Sequence, residues 1–356
     1  MFFSDPLQTT MILLRIILIP FSILYSVIIY LRNKFYDSGI LKTVKVSKPV
    51  ISVGNISTGG TGKTPFTIFT AKYFLEKGYS VGIISRGYKR KSEGLVIVCD
   101  GKDINGSLEQ SGDELAMTAN SLSEYKSRLF IAASSDRPEA ANYIIENYNP
   151  DIILMDDGFQ HRKLFRDLDI VIADAGSIRK NKFLNHFTLP SGILRESYGS
   201  LKRADIIIQN NKDKNIDVLP VFKKYDEEII IMRYKTEYLK DFKNIILRTD
   251  TNINNAIIFS GLADDSSFLQ MVSDLNINIS ESIKYKDHHD YTEADIEILK
   301  SKFREKTIFI TTEKDFIKIK NFKNFIEEFP VYYLKIDIQI EKNIHMLFNN
   351  YDKLVK

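Results

Sequence analysis

Residues 52–64 read S-V-G-N-I-S-T-G-G-T-G-K-T. An apolar, β-branched strand pattern at 50–53 leads into this stretch, and apolar residues at helical spacing follow it up to Gly78. A glycine-rich loop in this strand–loop–helix order presents backbone N–H groups to phosphate oxygens, and the helix directs the positive end of its dipole toward them. Lys63 adds a cation, and the Thr64 hydroxyl can bind Mg²⁺. The stretch therefore predicts a nucleoside triphosphate site formed by Gly59, Gly60, Thr61, Gly62, Lys63 and Thr64.

The loop departs from the strict G-x-x-x-x-G-K-[ST] pattern. Ser57 stands at the position of the first glycine. The stretch is similar to a G-G-x-G-K-T variant, with Thr58 where that variant often has a second lysine. A glycine-rich turn without a ligand is the alternative, but the agreement of strand, loop and helix favours the nucleotide site.

The composition restricts the class of protein. The chain has 356 residues, 44% of them hydrophobic, which is enough for two domains and a sizeable core. Its 49 basic and 46 acidic residues leave a formal net charge of +3, so a nucleic-acid binder driven by bulk charge is not indicated. The single Cys99 excludes an internal disulfide, argues against a Cys-ligated metal site and agrees with a reducing, cytoplasmic compartment.

The amino terminus differs in character from the rest of the chain. Residues 11–30 read M-I-L-L-R-I-I-L-I-P-F-S-I-L-Y-S-V-I-I-Y, and Arg15 and Pro20 interrupt this apolar run. A bilayer core needs about 20 mostly apolar residues, so 1–35 is expected to hold a membrane-associated helix that is a better surface anchor than a span. No small-residue cleavage site follows, and a removed signal peptide is not expected. The alternative is a buried amphipathic helix of the fold.

Basic residues follow this apolar run directly. They are Arg32, Lys34, Lys42, Lys45 and Lys48. Basic flanks stay on the cytoplasmic side of a membrane and attract anionic lipid headgroups. The pattern predicts contact with the cytoplasmic membrane surface.

After the anchor, short apolar runs alternate with helical patterns. The candidate strands are 50–53, 81–85, 95–98, 129–132, 152–155, 170–173, 206–208, 256–259 and 307–310, and the candidate helices lie near 65–77, 113–122, 137–148 and 292–302. This order predicts an α/β fold with a P-loop NTPase-like parallel sheet and helices on both faces.

A polar, lysine-rich stretch at 210–218 marks a candidate domain boundary. It divides a P-loop domain at 36–209 from a smaller α/β domain at 210–340. Residues 341–356 are expected to form a helix that packs back on the first domain.

A second phosphate-site element is expected at 152–161, which reads I-I-L-M-D-D-G-F-Q-H. An apolar strand that ends in an acidic residue is what a P-loop fold uses to hold Mg²⁺ beside the glycine-rich loop. Asp156 and Asp157 point in opposite directions if the strand continues and converge if it turns, so either one is a candidate for the metal. The alternative is that the pair only opens a turn before Gly158.

With these two elements in place, further motifs fall in a recognisable order. They are S-R-G-Y at 85–88, G-D-E at 112–114, D-R at 136–137, L-P-S-G-I-L-R-E at 189–196, D-H-H at 287–289 and T-T-E-K-D at 311–315. Together with the loop and the D-D-G-F-Q-H run, they resemble the tetraacyldisaccharide 4′-kinase family, the lipid A 4′-kinases of Gram-negative bacteria. The resemblance extends from the membrane-proximal helix almost to the C terminus.

The resemblance implies transfer of the ATP γ-phosphoryl group to the 4′-hydroxyl of a tetraacylated glucosamine disaccharide 1-phosphate, with Mg²⁺ required. It implies that Lys63 and Thr64 hold phosphates and metal, that Asp156 and Asp157 complete the Mg²⁺ shell, and that Glu196 is an additional acidic residue near the metal. The implied location is the cytoplasmic face of the bacterial inner membrane, where the lipid substrate lies. No nucleic acid and no obligate protein partner are indicated.

Asp113 matches the family position of the base that accepts the sugar hydroxyl proton, and His288 matches the histidine that orients or tunes it. A carboxylate within hydrogen-bond reach suffices for this step, because phosphoryl transfer depends more on positioning and charge neutralisation than on a strong base. Without the resemblance, Asp113 would be an ordinary helix N-terminus and His288 part of a solvated turn.

Three arginines and one amide are candidates for substrate contacts. Arg86, Arg137 and Arg195 offer bidentate geometry to a phosphate of ATP or to the 1-phosphate, and Gln160 is grouped with them. His161 either binds substrate or stabilises the strand exit. One departure from the family is the loop 260–268, where Asp264 and Asp265 replace an Asn-Pro turn. The resemblance therefore does not predict which contacts this loop makes.

Two other functions within the P-loop class are alternatives. A metallochaperone-like ATPase would have a metal-binding Cys pair or a bridging lysine in the loop, and the sequence has neither. A membrane-tethered ATPase that acts as a regulator would not depend on a sugar-lipid acceptor.

Overall fold

The computed structural model describes residues 6–88, 90–105, 108–180, 183–225, 227–243, 245–247 and 255–355. The chain divides into two compact units. The first unit consists of Met1–Arg86, Asp136–Arg233 and Ile340–Lys356, and the second of Gly87–Ser135 and Tyr234–Gln339.

The strands are, in chain order, β1 (Val50–Asn55), β2 (Val81–Ser85), β3 (Val96–Asp100), β4 (Leu129–Ala133), β5 (Ile152–Asp156), β6 (Leu168–Asp174), β7 (Ile206–Lys212), β8 (Ile230–Lys240), β9 (Ile246–Leu247), β10 (Asn255–Ser260), β11 (Ile279–Lys284), β12 (Thr307–Thr312) and β13 (Val331–Lys342). The helices are α1 (Pro6–Ile17), α2 (Ile19–Asp37), α3 (Lys63–Glu76), α4 (Leu108–Ser111), α5 (Asp113–Ser121), α6 (Arg137–Tyr148), α7 (Ala175–Arg179), α8 (Ser266–Ser273), α9 (Glu293–Lys302), α10 (Glu313–Ile319), α11 (Lys323–Glu328) and α12 (Ile344–Leu354). Helices and strands alternate through much of the chain, so the fold is mixed α/β.

The first unit is built on a large parallel sheet. Its strands lie in the order β8, β7, β6, β1, β5, β2, and each neighbouring pair is parallel. Every residue of β1, β2, β5 and β6 is buried, as continuous apolar runs in a parallel sheet require. Val53 of β1 lies opposite Asp156 of β5. The loop after β1 and the acidic end of β5 therefore meet at the carboxyl edge of the sheet, where open α/β sheets bind ligands.

Helix α3 carries the loop's C-terminal end, and α12 packs along it. Thr70 and Tyr351 share a hydrogen bond of 2.7 Å, and the rings of Tyr73 and Phe348 stack with centroids 4.6 Å apart. Phe66, Phe74 and Tyr351 are fully buried. Burying aromatic side chains of this size anchors α3, and with it the loop, against the unit.

The second unit contains the parallel strands β11, β10, β12 and β13, in that order, and an antiparallel pair, β3 and β4. Its core is rich in aromatic residues, among them the fully buried Phe259, Phe309 and Phe316. Helix α10 begins after Thr312, whose hydroxyl accepts a hydrogen bond from the Asp315 N–H over 3.0 Å. This N-cap fixes the position at which α10 begins.

The apolar amino terminus forms the two helices α1 and α2. Among the described residues no single helix has both the length and the hydropathy to cross a bilayer, but 9–17 and 19–37, which meet at a 50° bend, satisfy both requirements as a pair. Pro20 lies in the first turn of α2, where its missing N–H costs no helical hydrogen bond. Proline there begins a new helix instead of continuing the first one.

Candidate active site

The glycine-rich loop joins β1 to α3 in the first unit. Gly59 and Gly62 have φ angles of 96° and 95°, in the left-handed region that favours glycine. A Cβ atom built on Gly59 or Gly60 would have no neighbour within 4 Å. The loop therefore keeps open space beside its backbone, as a cradle for phosphate groups requires.

Two asparagine side chains hold the loop in shape. Asn55 Nδ2 donates to the Ser57 carbonyl (2.6 Å) and to Thr61 Oγ1 (2.9 Å), and Asn210 Nδ2 donates to the Thr61 carbonyl (3.0 Å). Both asparagines are buried. Sequence reasoning missed Asn210, because β7 was predicted to end at 208, whereas it continues to Lys212. The available signal was the Q-N-N run directly after an apolar strand, at the sheet edge where ligands bind.

Lys63 and Arg195 converge on Asp157. The Lys63 Nζ lies 3.4 Å from Asp157 Oδ1, and Arg195 Nη1 donates to both carboxylate oxygens at 2.8 and 2.9 Å. Burial by itself would raise the pKa of Asp157, but the two cations outweigh it and lower the pKa below its usual value. Asp157 is therefore ionised, and it forms ion pairs with Lys63 and Arg195 beside the glycine-rich loop.

Asp156 faces a different set of partners. Asp157 has a φ of 52°, so the chain turns there and the two carboxylates are not forced onto opposite faces of a strand. Asp156 is buried, and it accepts hydrogen bonds from Thr64 Oγ1 and Thr67 Oγ1, both over 3.3 Å. Asp156 therefore lies beside the threonine of the Gly-Lys-Thr motif, and Asp157 beside its lysine.

Glu196 lies in a buried ion pair. Its Oε2 accepts from Arg203 Nη1 (3.0 Å) and from Asn33 Nδ2 of α2 (2.9 Å). Its Oε1 is buried and has no hydrogen-bond partner among the residues that the structure describes. Glu196 is adjacent in sequence to Arg195, so the segment that pairs with Asp157 also carries a buried carboxylate with a free acceptor atom.

The other candidate substrate residues are dispersed over the first unit. Gln160 Nε2 donates to the Asn55 carbonyl over 2.8 Å, which ties the turn after β5 to the end of β1. Arg86 is exposed after β2, and Arg137 is buried as the first residue of α6. Burial, together with the charge of nearby Arg137, lowers the pKa of His161 to about 4. His161 is therefore neutral at pH 7.

Polar side chains of α1 and α2 contact the segment 185–196. Arg15, which interrupts the apolar run of the sequence, donates to the Ser191 carbonyl (2.6 Å) and to Asn185 Oδ1 (2.8 Å). Tyr25 Oη donates to the Arg195 carbonyl over 3.1 Å. The N-terminal helices are therefore attached directly to the segment that carries Arg195 and Glu196.

In the second unit, Asp113 and His288 form a hydrogen-bonded pair although they are 175 positions apart in sequence. Asp113 is the first residue of α5, after Gly112 with a φ of 80°. His288 Nδ1 lies 2.9 Å from Asp113 Oδ2, and both side chains are largely buried. Burial opposes ionisation of Asp113, but hydrogen bonds from His288 and Lys318 lower its pKa below the usual value.

A tight turn positions His288. The residue has a φ of 59°, and its N–H donates to the Gly261 carbonyl over 3.0 Å. A Cβ atom on Gly261 would lie 3.1 Å from the Lys286 carbonyl oxygen and 3.2 Å from the His289 nitrogen. Gly261, in the loop that departs from the family pattern, thus allows the close approach on which the His288 turn depends.

Among the residues that the structure describes, no three His, Cys, Asp or Glu side chains come together as a metal site of their own. Thr64 Oγ1 and Asp156 Oδ2 nevertheless supply the hydroxyl and carboxylate pair that holds Mg²⁺ in P-loop proteins. Mg²⁺ is commonly bound by one or two carboxylates plus phosphate oxygens of the substrate. The donor set at the carboxyl edge of the sheet therefore fits Mg²⁺ bound together with a nucleotide.

Comparison with known proteins gives matches along almost the whole chain. A model of the family described as LpxK, tetraacyldisaccharide-1-P 4′-kinase, matches residues 14–351. The tetraacyldisaccharide 4′-kinase of Aquifex aeolicus (strain VF5) is 36% identical over 344 residues, which cover 94% of this chain and 100% of the relative. That of Chlorobium chlorochromatii (strain CaD3) is 33% identical over 337 residues, which cover 91% of this chain and 89% of the relative.

A solved structure matches as well. A crystal structure of the "apo" form of LpxK from Aquifex aeolicus in complex with ATP superposes with a TM-score of 0.76 at 33% identity, covering 96% of this chain and 100% of that one. Sequence and fold thus agree on the same group of proteins.

Proposed function

This chain belongs to the tetraacyldisaccharide-1-P 4′-kinase family, and on that premise we propose that it transfers the γ-phosphoryl group of ATP to the 4′-hydroxyl of a tetraacylated glucosamine disaccharide 1-phosphate. The observation that carries the proposal is the arrangement of Lys63, Asp157 and Arg195 at the start of α3, directly after a loop with open space at Gly59 and Gly60. A strand–loop–helix unit with these groups binds a triphosphate.

ATP binds with its phosphates against the N–H groups of Gly59, Gly60, Thr61 and Gly62. Lys63 and Arg195, which Asp157 holds in place, supply positive charge where negative charge accumulates in the transition state. Thr64 and Asp156 would hold Mg²⁺, with Asp157 and Glu196 as further acidic groups of the metal site, and the bound ion would neutralise charge on the phosphates.

The acceptor hydroxyl oxygen forms a bond to the γ-phosphorus while the bond from that phosphorus to the β–γ bridging oxygen breaks. ADP leaves with the electron pair of the broken bond, and the hydroxyl proton passes to the carboxylate of Asp113. His288 donates to that carboxylate and orients it. Arg86, Arg137 and Gln160 contact the phosphates or the sugar of the substrates.

The acceptor is a lipid, and the N-terminal helices are suited to its location. Large apolar side chains are exposed along both helices, including Met11, Leu14, Ile17, Phe21, Leu24, Ile28 and Leu31. An apolar area of this extent marks a protein or membrane contact surface. We place it in the cytoplasmic leaflet of the inner membrane, with the polar contacts of Arg15 and Tyr25 toward the first unit.

Replacing Phe21, Leu24 and Ile28 together by serine is expected to weaken partitioning into vesicles at least about tenfold, because each of the three exposed side chains loses about 1–2 kcal/mol of apolar transfer energy. Co-sedimentation with liposomes of inner-membrane composition measures this. The control replaces Ile104, Ile246 and Ile298, exposed elsewhere, by serine. Equal partitioning of both triple variants would place the membrane contact on another surface.

Radiolabel transfer tests the reaction itself. Purified protein is incubated with γ-labelled ATP and tetraacylated disaccharide 1-phosphate, with one arm lacking lipid and one containing EDTA in excess of Mg²⁺. We expect labelled bisphosphorylated lipid only in the complete reaction. Release of labelled phosphate at the same rate without lipid would instead indicate an ATPase that acts as a regulator.

A further inference from the structure

Helix α10 carries two lysines that the mechanism above does not use. Lys314 and Lys318 are four positions apart and therefore lie on the same face of the helix. Their side chains are 15% and 7% exposed. Lysine is rarely buried to this extent unless it is paired, so their partners in the second unit indicate what they do.

Lys318 binds the Asp113 carboxylate. Its Nζ lies 2.9 Å from Asp113 Oδ2, the same oxygen that His288 Nδ1 approaches. Nζ also donates to the carbonyls of His288 (3.1 Å) and His289 (2.9 Å). In the described part of the chain both side-chain donors go to Oδ2, which leaves Oδ1 for the acceptor hydroxyl.

Lys314 binds the other side of the imidazole. Its Nζ lies 2.9 Å from His288 Nε2. An ammonium group only donates, so Nε2 must accept, and the ring proton of the neutral histidine is then on Nδ1, toward Asp113. The lysine thus selects the tautomer that donates a hydrogen bond to the carboxylate.

We propose that Lys318 and Lys314 are positioning residues for phosphoryl transfer: Lys318 holds Asp113 through Oδ2, and Lys314 fixes His288 as a donor to the same oxygen. The proposal rests on the proposed function, in which Asp113 accepts the hydroxyl proton. The two lysines, called the clamp below, add positive charge to a pair that otherwise consists of the Asp113 carboxylate and the neutral His288 ring.

Other charged groups near the clamp are more exposed to solvent. Asp290 lies 3.4 Å from Lys318 Nζ and is almost fully exposed, and Asp287 lies 3.9 Å both from Lys314 Nζ and from His288 Nε2 and is half exposed. Solvent screens such pairs strongly. The buried Asp113–Lys318 pair therefore dominates, and loss of Lys318 removes a cation that lowers the pKa of Asp113.

The sign of the pH effect follows from these contacts. The base acts only when it is deprotonated, so activity is lost as the pH falls through the pKa of Asp113. The Lys318 cation lowers this pKa and extends activity to lower pH. Removing an opposite charge at this distance raises a carboxyl pKa by about one unit or more, and burial then raises it without opposition from that charge.

Lys318→Met in the full-length chain is expected to move the acidic limb of kcat/KM for the lipid acceptor upward by about one pH unit and to lower kcat about tenfold or more. The KM for ATP should not change. Lys318→Arg, which keeps the charge, should return the acidic limb most of the way to its pH position in the native protein. The matched control is Lys320→Met, at the end of the same helix, where Nζ contacts Asn120 and the profile should stay as in the native protein.

A spectroscopic measurement tests the tautomer and does not depend on activity. In ¹⁵N-histidine-labelled protein, with His288 assigned through His288→Gln, the native shifts should show protonated Nδ1 and unprotonated Nε2. Lys314→Met should give a mixture of tautomers. A native-like spectrum in folded Lys314→Met would overturn the role of that lysine.

Failure of the inference and failure of the proposed function give different results. If Asp113→Asn is inactive while folded Lys318→Met and Lys318→Gln keep the native pH profile, the positioning role of Lys318 is wrong, but the assignment of Asp113 as the base is supported. If Asp113→Asn retains native activity, the base assignment itself is wrong. If the acidic limb of kcat/KM shifts upward in Lys318→Met and Lys318→Gln and returns in Lys318→Arg, the result supports both the clamp and the assignment of Asp113 as the base.

Discussion

Lys63→Ala is expected to lower kcat by about three orders of magnitude or more while the protein stays folded. Lys63 is the first residue of α3, and its ammonium group lies 3.4 Å from Asp157, beside the open loop backbone. Charge held in place before the reaction stabilises the transition state without reorganisation. Alanine removes this charge and keeps the helix, since alanine has the highest helix propensity.

Single-turnover transfer of the labelled phosphoryl group to the lipid measures this loss, and thermal unfolding checks the fold. Lys72→Ala changes a lysine of the same helix outside the loop and should leave kcat within about twofold, as a change remote from the reacting groups does. Native turnover by Lys63→Ala would remove the basis for placing ATP phosphates at this loop.

Asp113→Asn is expected to lower kcat by about 10²- to 10⁴-fold, the usual contribution of a general base. The amide has nearly the same shape as the carboxylate but accepts no proton at neutral pH. Because the proposed base acts on the acceptor hydroxyl in the transition state, the KM for ATP should change little. The buried partners His288 and Lys318 then face a neutral group, so some loss of stability accompanies the change.

Initial rates at varied ATP and varied lipid separate the two parameters. Glu124→Gln, on the surface of the same unit, is the isosteric control and should behave as the native protein. If Asp113→Asn raised only the KM for ATP and kept kcat, the carboxylate would serve nucleotide binding instead of proton transfer.

The contacts of the N-terminal helices have a consequence for the proposed membrane enzyme. Asn33 binds Glu196, and Tyr25 binds the carbonyl of Arg195, the residue that pairs with Asp157. The apolar helices are therefore attached by hydrogen bonds to the segment that carries Arg195 and Glu196 and are not a detachable tether. Deleting them would leave Glu196 without Asn33, so point changes on the exposed face are the sharper test of membrane contact.

Local features of the chain were predictable from the sequence. The strand at 50–53, the loop and the helix that follows were expected and are found as β1 and α3, because apolar spacing and left-handed glycines act within a few residues. The strand at 152–155 and the helix near 292–302 were also expected and are found as β5 and α9. The parallel sheet followed from buried apolar runs that alternate with helices.

Only the tertiary structure decided which side chains meet. It placed Asp156 beside Thr64 and Asp157 beside Lys63 and Arg195, paired Glu196 with Arg203, and brought Asn210 to the loop. It also joined Lys318 of α10 to Asp113 of α5. Periodicity and turn chemistry depend on neighbours along the chain, whereas these pairs depend on which strands and helices lie side by side, and a single sequence does not encode that adjacency locally.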